Sequence, residues 1–366
     1  MTDANALHAH PQPGYPRLLA DVGGTNARFA WRDNAASELS DVKSYPGDSY
    51  ASLHDAIQAY LADCQKPAPR WGSIGIANPI TGDEVRMTNR DWSFSIKDLK
   101  RRLGLERMLV INDFTALALA LPSLRSSDLR QVGRGAALEG APIALIGAGT
   151  GLGVSGLVRS VGNEHWVPLA GEGGHVSLAA VNEREAAVVA ALAKRFGHAS
   201  AERAVSGPGL ENLVQALADV DGVACPAIAA AEISKFGVAH GLQSGSTVGA
   251  GNDSGLPVAA SGSSSASVSG SSSALHATCA EALGLFCAFL GTTAGNLALT
   301  LGSKGGVYVG GGIVPRLGDW FDRSLFRERF EAKGRFRDYL DDVPTFVITA
   351  EESPALHGAD AALTLP

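Results

Sequence analysis

The sequence predicts an α/β protein built from two related domains. Apolar strand-like runs alternate with helical stretches, the pattern of an α/β fold. The 366 residues are enough for two domains and a large core. Two segments also echo one another: "LLADVGGTNARFAWR" from Leu18 and "IALIGAGTGLGVSGLVR" from Ile143 both read strand, glycine-rich turn, strand. Aligned on the turns, Asp21 meets Gly147 and Gly23 meets Gly149. Chance similarity over so short a repeat is the rival explanation.

From the N-terminus, residues 1–16 contain no apolar core of a secretory signal and read as a disordered lead. Leu18–Val22 and Ala27–Trp31 read as strands around Gly23 and Gly24, a two-residue hairpin signal that calls for φ > 0. Further strands are expected at Trp71–Ala77, Met108–Ile111, Ile143–Ile146, Val154–Leu157 and Val307–Val309, the last running into a dense glycine cluster. Helices are expected at Tyr50–Cys64, Phe114–Leu121, Glu183–Phe196, Gly209–Leu217 and Cys279–Leu290. The uncharged stretch 282–303 is interrupted by Gly284, Gly291, Gly295 and Asn296. It reads as a buried helix followed by a strand, not a membrane span. Residues 244–273 are dominated by Ser and Gly and read as a flexible surface loop inserted between helices, with a phosphorylated regulatory segment as the lesser alternative.

Composition excludes some function classes. Hydrophobic residues make up 45% and charged residues 18%, ordinary for a globular protein. The net charge of −7 argues against a sequence-independent nucleic-acid binder. Cys64, Cys225, Cys279 and Cys287 form no C-x-x-C pair, so reduced thiols in a cytoplasmic protein are expected.

The stretch "ADVGGTN", Ala20, Asp21, Val22, Gly23, Gly24, Thr25 and Asn26, admits two readings: an ordinary hairpin, or a phosphate cradle. Glycines let backbone N–H groups approach an anion, and Thr25 and Asn26 add side-chain donors. Asp21 would then need a cation between itself and the phosphate, which suggests a Mg-nucleotide. No Walker A loop is present. Gly151-Leu-Gly153-Val-Ser-Gly156 matches the dinucleotide fingerprint, but its glycines continue as a strand where a helix should open.

Seven motifs then occur in a specific order: "DVGGTNAR", "NPITGDEVRMTN", "INDFTALALAL", "GAGTGLG", "GEGGH", "AERAVSGPG" and "GGGIVPR". Together they resemble the bacterial glucokinases of the proteobacterial type, members of the hexokinase–actin–Hsp70 fold group. The resemblance runs from Leu18 to Gly358, interrupted by the Ser-rich loop. It implies a two-domain actin-like ATPase (ribonuclease H-like) fold with an interdomain cleft that sugar closes. A small domain would hold 17–123 plus 350–366, and a large one 124–349.

The resemblance also implies ATP-dependent transfer to the 6-hydroxyl of D-glucose at the entry to glycolysis, ATP and Mg²⁺ as cofactors, and a homodimer with no nucleic-acid or membrane partner. Asp113 would be the catalytic base. Read from its sequence position alone, it is better explained as the N-cap of the following helix. Asn112, Glu172, His175 and Glu202 resemble the glucose ligands. Against this, Glu172 and His175 also invite a metal reading, and Glu202 that of an exposed helix charge. Asn78 would line the sugar pocket, although turn chemistry alone explains Asn-Pro. The resemblance implies that Gly149, Thr150 and Gly151 meet the phosphates, that Gly310, Gly311 and Gly312 pass under the adenosine, and that Asp21 holds Mg²⁺ through water. A kinase for mannose or fructose, or a sugar-sensing regulator without turnover, are the alternatives. A related repressor group carries a Cys-rich zinc motif that is not found here.

Overall fold

The structure, a computed structural model, describes residues 14–87, 91–160, 162, 165–244, 268–350 and 353–365. Most of the expected N-terminal lead and Ser-rich loop lies outside these residues. Contacts divide the described chain into two units, one within Met1–Asp128, Arg159–Ala170 and Ala350–Pro366, the other within Leu129–Val158 and Gly171–Thr349.

In the first unit, β1 (Arg17–Val22), β2 (Asn26–Arg32), β3 (Ser40–Pro46), β4 (Trp71–Ile76) and β7 (Arg107–Asn112) form one sheet in the order β3-β2-β1-β4-β7. β5 (Glu84–Arg86) and β6 (Ser93–Ser95) make a separate ribbon. β1 is antiparallel to β2 and parallel to β4, and β4 is parallel to β7. In register, Val22 pairs with Ile76 and Ile76 with Asn112, so three parallel strands end side by side. Alternate residues of β1 serve opposite faces, as the two-residue strand period requires. Leu18, Ala20 and Val22 join the core with α1 (Leu53–Asp63) and α2 (Ile96–Arg102), while Leu19 packs with Leu356, Ala359 and Leu363 of the C-terminal region.

Helix α3 (Asp113–Ala120) lies between glycines of two other elements. A Cβ on Gly75 of β4 would come within 3.0 Å of the Ala116 Cβ, and one on Gly358 of the C-terminal helix Pro354–Ala362 would overlap the Ala116 carbonyl. The same C-terminal helix is anchored by buried Asp360, which accepts from Arg17 Nη1 at 2.8 Å and pairs with Arg32. Gly14–Pro16, expected in the disordered lead, are packed here. Tyr15 is buried beneath the Arg17 guanidinium at 4.1 Å, and the Pro16 carbonyl accepts from Arg70 N–H at 2.9 Å.

In the second unit, β8 (Leu129–Val132) and β9 (Ile143–Ala148) precede β10 (Leu152–Arg159); β11 (Trp166–Gly171), next in the chain, falls almost wholly within the first unit's segments. After α4 (Glu183–Phe196), α5 (Gly207–Asp221), α6 (Ala230–Ser244) and α7 (Val268–Leu301) come β12 (Val307–Gly310) and β13 (Thr345–Ile348). The sheet runs β10-β9-β12-β13-β8. β9 is antiparallel to β10 and parallel to β12, which is parallel to β13. An antiparallel hairpin followed by two parallel strands thus occurs in both units. The short sequence echo extends to four strands of architecture, the repeat of an actin-like fold.

Two expectations need correction. The first hairpin does not have the two-residue turn expected of it. The pair Val22–Ala27 leaves four loop residues, closed by Gly23 N–H donating to Asn26 O at 3.0 Å, and Gly23 and Gly24 are not in the positive-φ region. The pair Ala148–Leu152 leaves three. The second correction concerns 282–303, where no strand follows the helix; α7 continues to Leu301. Two of its glycines, Gly291 and Gly295, admit a neighbouring backbone. A Cβ on Gly291 would overlap the Phe326 carbonyl and one on Gly295 that of Phe330, both on the helix Phe326–Glu331. Among the described residues α7 is the one helix long and apolar enough to cross a membrane. Yet 78% of its most apolar window is buried within the protein, as suits a core helix.

Gly358→Val will force α3 and the C-terminal helix apart. A loss of about 1–3 kcal/mol or more is expected from such overpacking, read as a lower melting temperature. An unchanged melting temperature would show that the two helices re-space freely.

Candidate active site

Asp21, Asn78, Asn112 and Asp113 all lie at or just beyond the carboxyl ends of β1, β4 and β7, where open α/β sheets bind ligands. Asn112 is the N-cap of α3: its Oδ1 accepts from Phe114 N–H at 2.9 Å and Thr115 N–H at 3.3 Å. The capping alternative weighed for Asp113 therefore belongs to its neighbour, and Asp113 is the first helical residue. With Oδ1 engaged in the cap, Asn112 has its amide nitrogen to offer.

Asp113 Oδ1 accepts from Phe114 N–H at 2.9 Å. Burial pushes its carboxyl up to about 6, and the nearby Asp21 charge adds to the rise. Hydrogen bonds from Phe114 and Asn112 act against it. Asp21 turns away from the core that takes Ala20 and Val22. Its Oδ2 accepts from Ser353 Oγ at 2.6 Å and lies 3.5 Å from Arg28 Nη1. Thr25 and Asn26 are exposed on the loop.

Asn78 Nδ2 donates to the Pro79 carbonyl at 3.1 Å, the local turn bond that Asn-Pro chemistry anticipates. Its Oδ1 is buried and has no hydrogen-bond partner. A buried acceptor without a donor costs about 1–3 kcal/mol, so this atom suits a ligand hydroxyl.

In the second unit the hairpin turn Gly149–Thr150–Gly151 is held from several sides. Gly149 N–H donates to Gly151 O at 2.8 Å, and Gly149 O accepts from Gly207 N–H at 2.8 Å. Glu202 is half-buried in the short helix Ala201–Arg203, and its Oε2 accepts from Leu152 N–H at 2.9 Å. It is not the exposed helix charge of the bland reading.

Glu172 and His175 flank a single 3₁₀ turn and are exposed. The glycines between them press against β10. A Cβ on Gly173 would meet Val154 at 2.7 Å, and one on Gly174 would overlap the Leu152 carbonyl. Leu178 N–H to Ala199 O at 2.9 Å and Ala201 N–H to Val176 O at 2.8 Å tie this segment to the one carrying Glu202. No group of three metal-ligating side chains occurs among the described residues.

At the end of β12, Gly310 pairs with Gly147. Gly311 has φ +83°, and a Cβ there would overlap the Ala148 carbonyl, so only glycine fits. Gly312 lines a cavity of about 640 Å³ together with Leu210, Ala231, Ser234, Lys235 and Arg316. That volume suits a small-molecule site. Sequence reading missed the α6 side of this cavity, because Ser234 and Lys235 sit in no recognisable motif. The dinucleotide alternative fails, since Gly151–Gly156 runs into strand β10 where a helix should begin.

Two sheets of one topology, a carboxylate raised at the strand ends of one, and a glycine hairpin beside a cavity on the other fit a sugar kinase of the actin-like fold. The chain belongs to the glucokinase family, whose model matches residues 18–365. It is 51% identical over 350 residues to a glucokinase of Aromatoleum aromaticum, covering 95% of each chain. A glucokinase crystal structure from an Antarctic psychrotroph is 34% identical with TM-score 0.77, covering 95% of this chain and 98% of that one. A ROK family glucokinase from Streptomyces griseus, crystallised with glucose and AMPPNP, shares the fold at 17% identity and TM-score 0.58, covering 95% and 99%.

A raised carboxyl favours the folded state while protonated. The stability it contributes is full below the ordinary carboxylate value and is lost as pH rises through about 6. Asp113→Asn should therefore melt higher than the unaltered protein at about pH 8, with the gain shrinking toward about pH 4. A gain independent of pH would contradict the assignment.

Proposed function

We propose that the protein catalyses ATP-dependent phosphorylation of D-glucose on its 6-hydroxyl, with Asp113 as general base. The observation that carries this reading is the Asp113 carboxyl, raised to about 6 by burial at the end of β7. Such a group is charged at neutral pH yet basic enough to take a proton, the compromise general-base catalysis favours. Phe114 N–H holds the carboxylate from one side. As the sugar O6 bonds to the γ-phosphorus, the bond to the departing ADP oxygen breaks and the hydroxyl proton passes to Asp113. The reaction is mostly positioning and charge stabilisation.

In this reading Asn78 Oδ1 accepts from one sugar hydroxyl and the Asn112 amide donates to another. Glu172, His175 and Glu202 recognise further hydroxyls, so a sugar lacking one leaves its partner unpaired. Gly149 N–H is used within its own turn, which leaves Thr150 and Gly151 to present backbone donors to phosphate. Gly310–Gly312 and the adjoining cavity would take the nucleoside. Asp21 fits a Mg²⁺ held through water: its carboxylate lies near that of Asp113, with the Ser353 hydroxyl and the Arg28 guanidinium engaging only Oδ2, as suits an ion that keeps most of its ligands from water and phosphate. Bound there, Mg²⁺ would shield the negative phosphates from Asp21. We further infer a cytoplasmic enzyme.

ADP release with MgATP will be strong with glucose and weak with mannose, fructose, N-acetylglucosamine or no sugar. Strong release with another hexose would favour a kinase for that sugar. No release from protein that still binds glucose would favour a sensor. Asp113→Asn is expected to lower kcat by about 10²–10⁴ with the glucose KM little changed. Asn78→Ala should instead raise that KM about tenfold at similar kcat; an unchanged KM would remove Asn78 from the pocket.

A further inference from the structure

Residues 201–209 grip the second hairpin at both of its ends. Glu202 Oε2 accepts from Leu152 N–H just after the turn, at 2.9 Å. Gly207 N–H donates to Gly149 O at its start, at 2.8 Å. Between these two grips lies Ser206, only 2% exposed. Its Oγ donates to the Glu202 carbonyl at 2.8 Å and accepts from Gly209 N–H at 2.9 Å, as the N-cap of α5. Hairpin, loop and helix start thus form a closed ring of hydrogen bonds. The ring has little slack: a Cβ on Gly151 would lie 2.5 Å from Glu202 Oε2, and one on Gly209 2.6 Å from the Ala204 carbonyl carbon.

We propose that Ser206 is a positioning residue that couples sugar binding at Glu202 to nucleotide binding at the Gly149–Gly151 turn. The inference rests on the reading of Glu202 as a sugar ligand and of the turn as a phosphate site. One carboxylate oxygen of Glu202 is bonded to the hairpin, so a sugar hydroxyl takes the other. Any reorientation of the carboxylate then reaches the Leu152 N–H at the exit of the turn. Ser206 holds the Glu202 backbone, which keeps the loop from absorbing that movement. Without the hydroxyl both sites persist, but each loses its effect on the other. Coupling of this kind is reciprocal, so it is measurable from either ligand.

The test is the glucose dissociation constant with and without a non-hydrolysable MgATP analogue, in the unaltered protein, Ser206→Ala and Ser206→Gly. Glycine at an N-cap preserves the helix start at little cost, which guards against an Ala variant that folds poorly. The unaltered protein should show at least about fivefold tightening by the analogue. Both variants should fall to a ratio near one while binding glucose alone with nearly unaltered affinity. Variants that keep the full ratio overturn the proposal. So does an unaltered protein with no coupling, or a loss of glucose affinity without nucleotide as large as the loss of coupling. ADP release separates the two levels. A protein that phosphorylates no sugar fails the functional reading, whereas normal turnover with full coupling in the Ser206 variants fails this inference alone.

Discussion

Ala116 is the point on which the first unit turns. It sits one helical turn beyond Asp113, with Gly75 of β4 on one side and Gly358 of the C-terminal helix on the other. Neither glycine could carry a side chain without moving α3, so the helix has one position against the sheet. That position sets the Asn112 cap and buries Asp113 beside Asp21. The clamp depends in turn on Asp360, whose carboxylate joins Arg17 on β1 and Arg32 on β2 to the C-terminal helix. A buried carboxylate with two guanidinium partners is costly to break, because removing one partner leaves charge without compensation. The first strand and the last helix of the chain are therefore one mechanical element.

The second unit uses the same device for a different end. Gly311 lets β12 turn back over Ala148, Gly174 lets the Glu172–His175 segment lie on β10, and Gly151 makes room for Glu202. Backbone is brought against backbone where a side chain would hold it away. Glycine within a fold costs conformational entropy. Here the return is a hairpin whose amides and a carboxylate that touches it are fixed before any ligand arrives.

The raised Asp113 carboxyl follows from the same packing. Its burial stabilises the protonated form, so at neutral pH the charged residue lowers stability. Strain of this kind concentrates at functional sites. The unpaired Asn78 Oδ1 is a second instance nearby, a buried acceptor that gains most when a ligand donates to it.

What the sequence determined by itself was local and patterned. The seven expected strands and five expected helices all exist, because each is a continuous apolar or periodic run. Asn78, Asn112 and Asp113 were legible as candidates because they follow such runs, and Asp21 because it is the one acid within its run. β3, β8 and β13 were not: they are short or mostly polar, and only pairing with a neighbouring strand makes them strands. Gly291 and Gly295 of α7 looked like interruptions until the helix Phe326–Glu331 was seen against them, and turn length at the first hairpin followed from register, not from the Gly-Gly signal. Which residue caps α3, where the Glu202 carboxylate points and that α6 lines a cavity are decided by elements far apart in the chain. Those contacts exist only after folding, so no local pattern encodes them.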